Sequence, residues 1–555
     1  MRFVIHIIAQ FVRLIVIAIA HIIFRIKVKG TKNVPSQGGA LVIANHVSFL
    51  DTFVICAVMP RMVGFVMLSA VYHNPLLNWL FKHVNMVPVS GGKSKEDLEN
   101  FNRRCQEIIN EGNIVCIFAE GQISRNGHLL GFKKGLEHIA KGISSPIIPV
   151  QIDGLIGTPL SHDIARKGTI GFHFNALRRK VRVRIGGALE PSTTAYQVRN
   201  VIKELEVENF EGRYETDFTL TKRARKVWKK AKKRSWCGRS LKPMKRKMHH
   251  MEYALYQHVA HTETIGVSLP YSEDTVILYW ALARLGKKVF VLNEQQLNAK
   301  DVQLPQVIIA ENAQEIAGSR VVTWDDINDV GDNVPDYKPA KLAQKSNVLA
   351  QFVSGNKIIG YTHGNFLAYW QSVSRLFELD RTKQIATDFD LSHPLGYFML
   401  VWLPLLTRVS VHPDMLIHKT NTIVGSKDFI NNNATSGISF ILSFGTGVEG
   451  KFDPNVKIFE GLGVGVEFPL VAVNSKDFEG KGLDGRVLVQ SGSIKDSVGR
   501  VLPGAAIRVV DSEGGSLGPN EVGDFEVMGS HFPHAGWKPI GIRGYKNSDG
   551  FLFLD

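Results

Sequence analysis

Residues Phe3 to Phe24 form an almost unbroken apolar run, interrupted by His6, Gln10, Arg13 and His21. The first three interruptions step by four and then three, and His21 continues the row two turns on. All four therefore share one face of a helix. A run of 22 residues is long enough to span a bilayer. A polar stripe with an arginine in mid-helix favours instead a helix lying in the membrane interface, a monotopic anchor. Arg2 flanks it on one side and Arg25, Lys27 and Lys29 on the other, and no small-residue cleavage site of a signal peptide follows.

From Val28 to about Ile185, short apolar runs alternate with longer helical patterns. Ala40–Ala44, Asn113–Phe118 and Pro146–Ile152 read as buried strands; Thr52–Met59, Lys93–Asn110 and Lys134–Lys141 read as helices. Short strands between helices predict a mostly parallel sheet. Phe53–Leu68 is apolar too, but Pro60-Arg61 breaks it, so it is not a second span. The pattern changes between Lys222 and Lys247, with 14 Lys/Arg and no acid, and again from Met251. The expected class is α/β throughout. A membrane-embedded or interfacial helix occupies 1–29, an α/β domain 30–210, a basic linker 211–250 and a second α/β domain 251–555.

The formal net charge is +15, and the basic run carries nearly all of it. Its simplest reading is a solvated tether. Beside a membrane anchor, adhesion to anionic lipid is the better functional reading, at about 1 kcal/mol per basic residue near the surface. Trp228 and Trp236 would then suit the headgroup layer. An acidic carrier protein is a second client for the same charge. Nucleic acid is not expected, since no nucleic-acid motif accompanies the run. Cys56, Cys105, Cys116 and Cys237 make no C-x-x-C pair, which speaks against a disulfide framework or a zinc site and for a reducing compartment.

Candidate chemistry begins where the first strand stops. Asn45-His46-Val47-Ser48-Phe49-Leu50-Asp51 places a histidine five positions before a carboxylate in the next helix's first turn. The carboxylate can hold one imidazole nitrogen while the other faces substrate, which makes the ring a general base for a hydroxyl or amine. Ser48-x-x-Asp51 equally fits a capping box. A second group, Phe118-Ala119-Glu120-Gly121 with Arg125, Asn126-Gly127, Lys133 and Lys134, follows another strand. Parallel sheets place ligands there, and its cations suit a phosphate. Taken alone, such a loop is more often a solvated turn.

Together these pieces resemble the glycerolipid acyltransferase family. The resemblance rests on the His-x4-Asp of His46 to Asp51, the Phe-x-Glu-Gly of Phe118 to Gly121 and the Ile-Pro-Val of Ile148 to Val150, and covers roughly residues 30 to 190. It implies that His46 takes a proton from a glycerolipid hydroxyl and that Asp51 orients it. Glu120 and Gly121, with Arg125 and Lys133, would bind the acceptor. The acyl donor would be acyl-acyl carrier protein or acyl-CoA, with no bound cofactor and no metal. Gln122 stands where many members carry arginine, and only Lys93 and Lys95 follow Met86-Val87-Pro88-Val89. Fewer phosphate contacts favour a zwitterionic lysophospholipid over a bare phosphomonoester.

From Met251 onward, Phe352–Asn365, Glu460–Glu467, Gly499–Gly504 and Gly544–Leu552 resemble landmarks of the acyl-adenylate-forming superfamily. The domain order resembles the bifunctional acylglycerophosphoethanolamine acyltransferase/acyl-acyl-carrier-protein synthetases. The residues that would hold ATP depart from the pattern. Ser354-Gly355 runs straight into Asn356-Lys357, short of a loop whose amides cradle phosphate. Leu462 and Val466 replace the adenine loop's tyrosine and threonine, although Glu467 remains. Ile540-Gly541-Ile542 replaces a ribose-binding Thr-Gly-Asp, and the sequence stops at Asp555, where a C-terminal subdomain is expected. The expectation is a lysophospholipid O-acyltransferase on the cytoplasmic face of a bacterial inner membrane, followed by a degenerate, incomplete adenylate-forming-type domain kept for scaffolding or carrier docking. The rival readings are a working bifunctional synthetase and a non-catalytic membrane scaffold.

Overall fold

The protein was analysed as a computed structural model. It describes residues 2–555 except 74–77, 90–93, 126, 159–160, 162–177, 214–217, 230–234, 237–238, 300, 313–314, 317, 329–343, 378, 380–381, 413–419, 434–437, 439, 445–455 and 482–486.

The first half is built on β2 (Ala40–Ala44), whose five residues are all buried. A strand buried on both faces needs cover on both. Ala40, Val42 and Ala44 pack with Val54, Ile55 and Val58 of α2 (Asp51–Val58). Leu41 and Ile43 point the other way, to Cys105, Ile108 and Ile109 of α5 (Lys95–Asn110), Ile139 of α6 (Gly135–Ala140), and Val198 and Ile202 of α7 (Ala195–Glu211). The other strands are β1 (Phe24–Lys29), β3 (Val63–Leu68), β4 (Val87–Val89), β5 (Ile114–Phe118), β6 (Ile147–Asp153) and β7 (Arg179–Ile185). Their order is β1-β7-β6-β2-β5-β3-β4. β7 pairs antiparallel with β6, and the other pairings are parallel. Short helices α3 (Ser69–Tyr72) and α4 (Asn78–His83) join β3 to β4.

Helix α1 (Arg2–Ile23) leads into β1 without a break. Ala9 and Ala20 are buried, and the Arg13 guanidinium donates to the Met59 carbonyl at 2.7 Å. Met59 closes α2, so a cation sits on the negative end of that helix. Gln10 and Arg13 of the polar row are thus half-buried, whereas His21 is exposed and bonds the Ile17 carbonyl of its own helix. Ile7, Phe11, Leu14 and Ile22 are 52 to 69% exposed. Among the described residues, no helix is long and apolar enough to cross a membrane. The basic flank Arg25, Lys27 and Lys29 is part of β1, an edge strand of the sheet.

The basic stretch departs from a tether. Helices α8 (Leu220–Lys229) and α9 (Leu241–Val259) cover much of it. Leu220, Ala224 and Trp228 recur every fourth residue and make a buried stripe. Trp228 is 6% exposed and stacks on Trp280 with ring centroids 5.0 Å apart, inside the core rather than at a headgroup layer. Trp280 belongs to the apolar helix Glu273–Arg284. The Trp236 side chain lies outside the described residues.

The second half holds a six-stranded sheet ending in the hairpin Val348–Ser354/Lys357–Thr362 and a seven-stranded sheet centred on Thr422–Ser426 and Phe440–Phe444. A two-stranded ribbon, Phe478–Lys481/Val487–Gln490, and a four-stranded antiparallel sheet over Ala505–Leu554 follow. The halves meet along α7. Glu206 accepts from the Gly504 amide at 3.0 Å, and the Arg199 guanidinium donates to the carbonyls of Leu129, Leu130 and Asp549. Gly504 has φ +83°, and a Cβ there would run into the Phe210 ring.

Candidate active site

Strand register builds the site. β2 and β5 are parallel neighbours with Ala44 opposite Phe118. Two residues beyond each, His46 and Glu120 come side by side at the carboxyl ends of the strands. The Asn45 side chain extends the sheet past its last rung: its Nδ2 donates to the Ile152 carbonyl at 3.1 Å, and its Oδ1 accepts from the Ile152 amide at 2.7 Å.

Both backbone polar groups of His46 are held by the loop after β5. Its N–H donates to Glu120 Oε1 at 2.7 Å, and its carbonyl accepts from the Ser124 amide at 2.8 Å. The ring stacks on Phe118 with centroids 4.1 Å apart and an interplanar angle of 17°. Nδ1 lies 2.8 Å from Asp51 Oδ2. That oxygen also accepts from the Val47 and Ser48 amides at 2.7 and 2.9 Å. Asp51 is wholly buried, while the His46 side chain keeps 15% exposure.

Half of the capping alternative is present, since Asp51 Oδ2 accepts from the Ser48 amide as the last residue of a capping box does. Helix α2 begins with Leu50 at its N-cap and no side-chain cap bond. The Asp51 carboxylate folds back onto the preceding loop and the imidazole. An ionised carboxylate accepting from Nδ1–H leaves Nε2 as the ring's acceptor.

Glu120 is 1% exposed, and its second oxygen accepts from the Leu130 amide at 2.9 Å. Burial pushes its carboxyl up to about 8, against the pull of the two amides and of Arg199. Its oxygens tie together the two loops that flank the site. Gly121 is exposed with φ +69°, and a Cβ there would touch the aliphatic part of Lys133, also exposed. Arg125 is 4% exposed and turned to the second half of the chain. Its amide donates to Gln490 Oε1 at 3.0 Å, and its guanidinium lies 5.4 Å from the Phe478 ring. Asn126 lies outside the described residues. The structure therefore brings His46, Asp51 and Glu120 into one cluster, sets Gly121 and Lys133 together at the solvent-facing rim, and removes Arg125 to an internal interface. Sequence reasoning passed over Asn45, Ser124 and Gln490. Asn45 adjoins the histidine, but Gln490 carries no local signal.

Thiol chemistry is disfavoured here. Burial pushes the Cys56 thiol up to about 11 and Cys105 to about 12, and raises Cys116 as well, so none supplies a thiolate at neutral pH. Among the described residues, no group of three or more His, Cys, Asp or Glu side chains is placed to hold a metal ion.

The stretches of the second half that resemble ATP-site landmarks take a different form. Ser354 pairs with Lys357, so Gly355 and Asn356 form a two-residue hairpin turn instead of a loop around an anion. Thr362 and Asn365 make the capping box of helix His363–Leu376. Leu462 and Ile540 are buried in the core, and Glu467 sits 3.5 Å from His534.

Residues 25–153 match the model of the Acyltransferase family, and that span contains β2 to β6, all of β1 but Phe24, and the whole His46 cluster. Among curated relatives, the chain is similar to the chloroplastic 1-acyl-sn-glycerol-3-phosphate acyltransferase LPAT1 of Arabidopsis thaliana, 27% identical over 132 residues, which are 24% of this chain and 36% of the relative. A probable 1-acyl-sn-glycerol-3-phosphate acyltransferase of Mycoplasma pneumoniae is 27% identical over 136 residues, 24% of this chain and 51% of the relative. The chain thus spans about a third to a half of the length of these relatives. Among solved structures, that of VinN is similar in fold, with a TM-score of 0.50 at 16% identity over 61% of this chain and 99% of VinN.

Proposed function

We propose that the protein is a lysophospholipid O-acyltransferase whose acyl donor is a thioester of acyl carrier protein or coenzyme A. The observation that carries the proposal is the His46–Asp51 pair, held by Glu120 at the ends of parallel strands inside the segment that matches the Acyltransferase family. Asp51 fixes the Nδ1–H tautomer. Nε2 accepts the proton of the acceptor hydroxyl as its oxygen attacks the thioester carbonyl. The tetrahedral adduct then expels the thiolate, which takes the proton back from the imidazolium. A positioned base of this kind contributes about 10²–10⁴-fold, and holding thioester and hydroxyl together supplies much of the remainder. Glu120 positions the histidine loop. Gly121 and Lys133, adjacent on the rim, form the edge that receives the acceptor headgroup, and Lys133 supplies a cation for its phosphate. The relatives' names favour a 1-acyl-glycerol-3-phosphate-like acceptor, and the loss of an arginine after Gly121 favours a zwitterionic one.

Membrane attachment belongs to the same proposal. Helix α1 lies along the bilayer surface with Ile7, Phe11, Leu14 and Ile22 in the acyl layer, and Arg13 bonded inward to Met59. The second half is read as a synthetase-like domain that does not adenylate, since the Gly355-Asn356 turn leaves no loop to surround a phosphate. The test is to give purified full-length protein labelled acyl-acyl carrier protein and acyl-CoA with a panel of lysophospholipids, including lysophosphatidate and its ethanolamine ester. Transfer to at least one acceptor is expected. No transfer to any acceptor from either donor would contradict the reading and leave a scaffold.

A further inference from the structure

The contact between the halves reaches the candidate base through a short path. Gln490 ends the ribbon Phe478–Lys481/Val487–Gln490 opposite Phe478 and is 2% exposed. Its Nε2 donates to the Ile123 carbonyl at 2.7 Å, and its Oε1 accepts from the Arg125 amide at 3.0 Å. A primary amide offers one donor and one acceptor side by side, so it takes both backbone groups of a chain segment as a neighbouring strand would. Between those two contacts lies Ser124, whose amide holds the His46 carbonyl at 2.8 Å. Arg125 adds a second grip, with its guanidinium over Phe478 and its Nη1 near the Glu479 carbonyl. Arg500 fixes the ribbon's exit, donating to the carbonyls of Ser491 and Asp549. Arg199 ties that same Asp549 carbonyl to Leu129 and Leu130, the end of the loop that Glu120 holds.

We propose that Gln490 is a positioning residue for His46, by which the synthetase-like half sets the geometry of the acyltransfer site. The proposal rests on His46 being the base. Gln490 touches neither substrate nor the imidazole; it acts by fixing residues 123–125, which fix the His46 backbone. The second half is then a structural partner of catalysis, independent of any chemistry of its own. A small displacement of a catalytic group costs up to about 100-fold, and two lost hydrogen bonds at a buried loop permit one.

The test compares full-length wild type with Gln490→Ala and Gln490→Glu, and with His46→Ala as the control on the site itself. Gln490→Ala is expected to lower kcat between about 10- and 100-fold, with KM for both substrates within about twofold, because positioning rather than binding is lost. Gln490→Glu keeps the acceptor for Arg125 but sets a carboxylate oxygen against the Ile123 carbonyl at a buried position, so its kcat should fall at least as far as that of Gln490→Ala. Deuterium uptake by peptides covering 120–130 and 44–50 should rise in Gln490→Ala while the rest of the first half is unchanged, which separates local loosening from misfolding. Wild-type kcat, or wild-type uptake in both peptides, for the alanine variant would overturn the proposal. If His46→Ala is as active as wild type, the reading of the base fails by itself, and the uptake comparison still reports on the clamp.

Discussion

At the scale of residues, one carboxylate orients the imidazole and another holds its backbone. Asp51 Oδ2 gathers three N–H groups, from the His46 ring and from the Val47 and Ser48 amides. An amide in its place keeps one acceptor but can turn an NH₂ toward the ring, which favours the wrong tautomer. Asp51→Asn should therefore lower kcat by about 100-fold or more and leave KM nearly unchanged. Steady-state rates at saturating donor check this, and a change confined to KM would contradict it. Glu120 makes a prediction of the opposite kind, in stability. Its carboxyl is raised from 4.5 to about 8 in the folded state. Between those values the folded protein keeps a proton that the unfolded chain has released, so stability falls as pH rises through that window, by at most about 1.4 kcal/mol per pH unit. Glu120→Gln removes this share of the slope, and sets an NH₂ against a backbone N–H at a cost of about 1–3 kcal/mol. Urea unfolding at about pH 5 and about pH 8 should show a steeper fall of stability with pH in wild type than in the variant, since Glu252, raised to about 7, keeps its own share of the slope in both.

At the scale of elements, what was legible in the sequence was what local spacing decides. Ala40–Ala44 is a strand as read, a continuous apolar run that stops at Asn45-His46, and Asp51 lies on the first turn of the next helix, where a second apolar run begins. The nearness of Glu120 to His46 needed the pairing of Ala44 with Phe118, which the shared motif implied but no single stretch shows. Other features depend on partners distant in sequence. Phe24–Lys29 read as the charged flank of a helix, yet its alternation of apolar and basic residues is that of an edge strand, and only its pairing with Arg179–Ile185 reveals it. Arg125 read as a headgroup contact and lies against Phe478 and Gln490, more than 350 positions later. Backbone amides leave no mark in a sequence, so Glu120 read as a substrate ligand although its oxygens face main chain. Helix α1 carries the prediction at this scale. Replacing Phe11, Leu14 and Ile22 by serine removes exposed apolar area without touching Ala9, Arg13 or Ala20, which face the protein. Vesicle co-sedimentation should fall at least about tenfold, since each large side chain contributes roughly 1.5–3 kcal/mol. Unaltered binding would remove the anchoring role.

At the scale of the whole molecule, two α/β halves share helix α7, and the path from Gln490 to His46 runs through their interface. A second half need have no chemistry of its own to serve the first; holding it is enough. Accordingly, ATP–pyrophosphate exchange with fatty acids should stay at background, and exchange above background would restore the bifunctional reading. The chemistry of the first half turns on His46. Labelled acyl thioester and the best lysophospholipid acceptor are given to wild type and to His46→Ala at equal concentration, with folding of both verified by their melting transitions. His46→Ala should lose about 10²–10⁴-fold in acyl transfer, and transfer at the wild-type rate would contradict the role of His46 as the base.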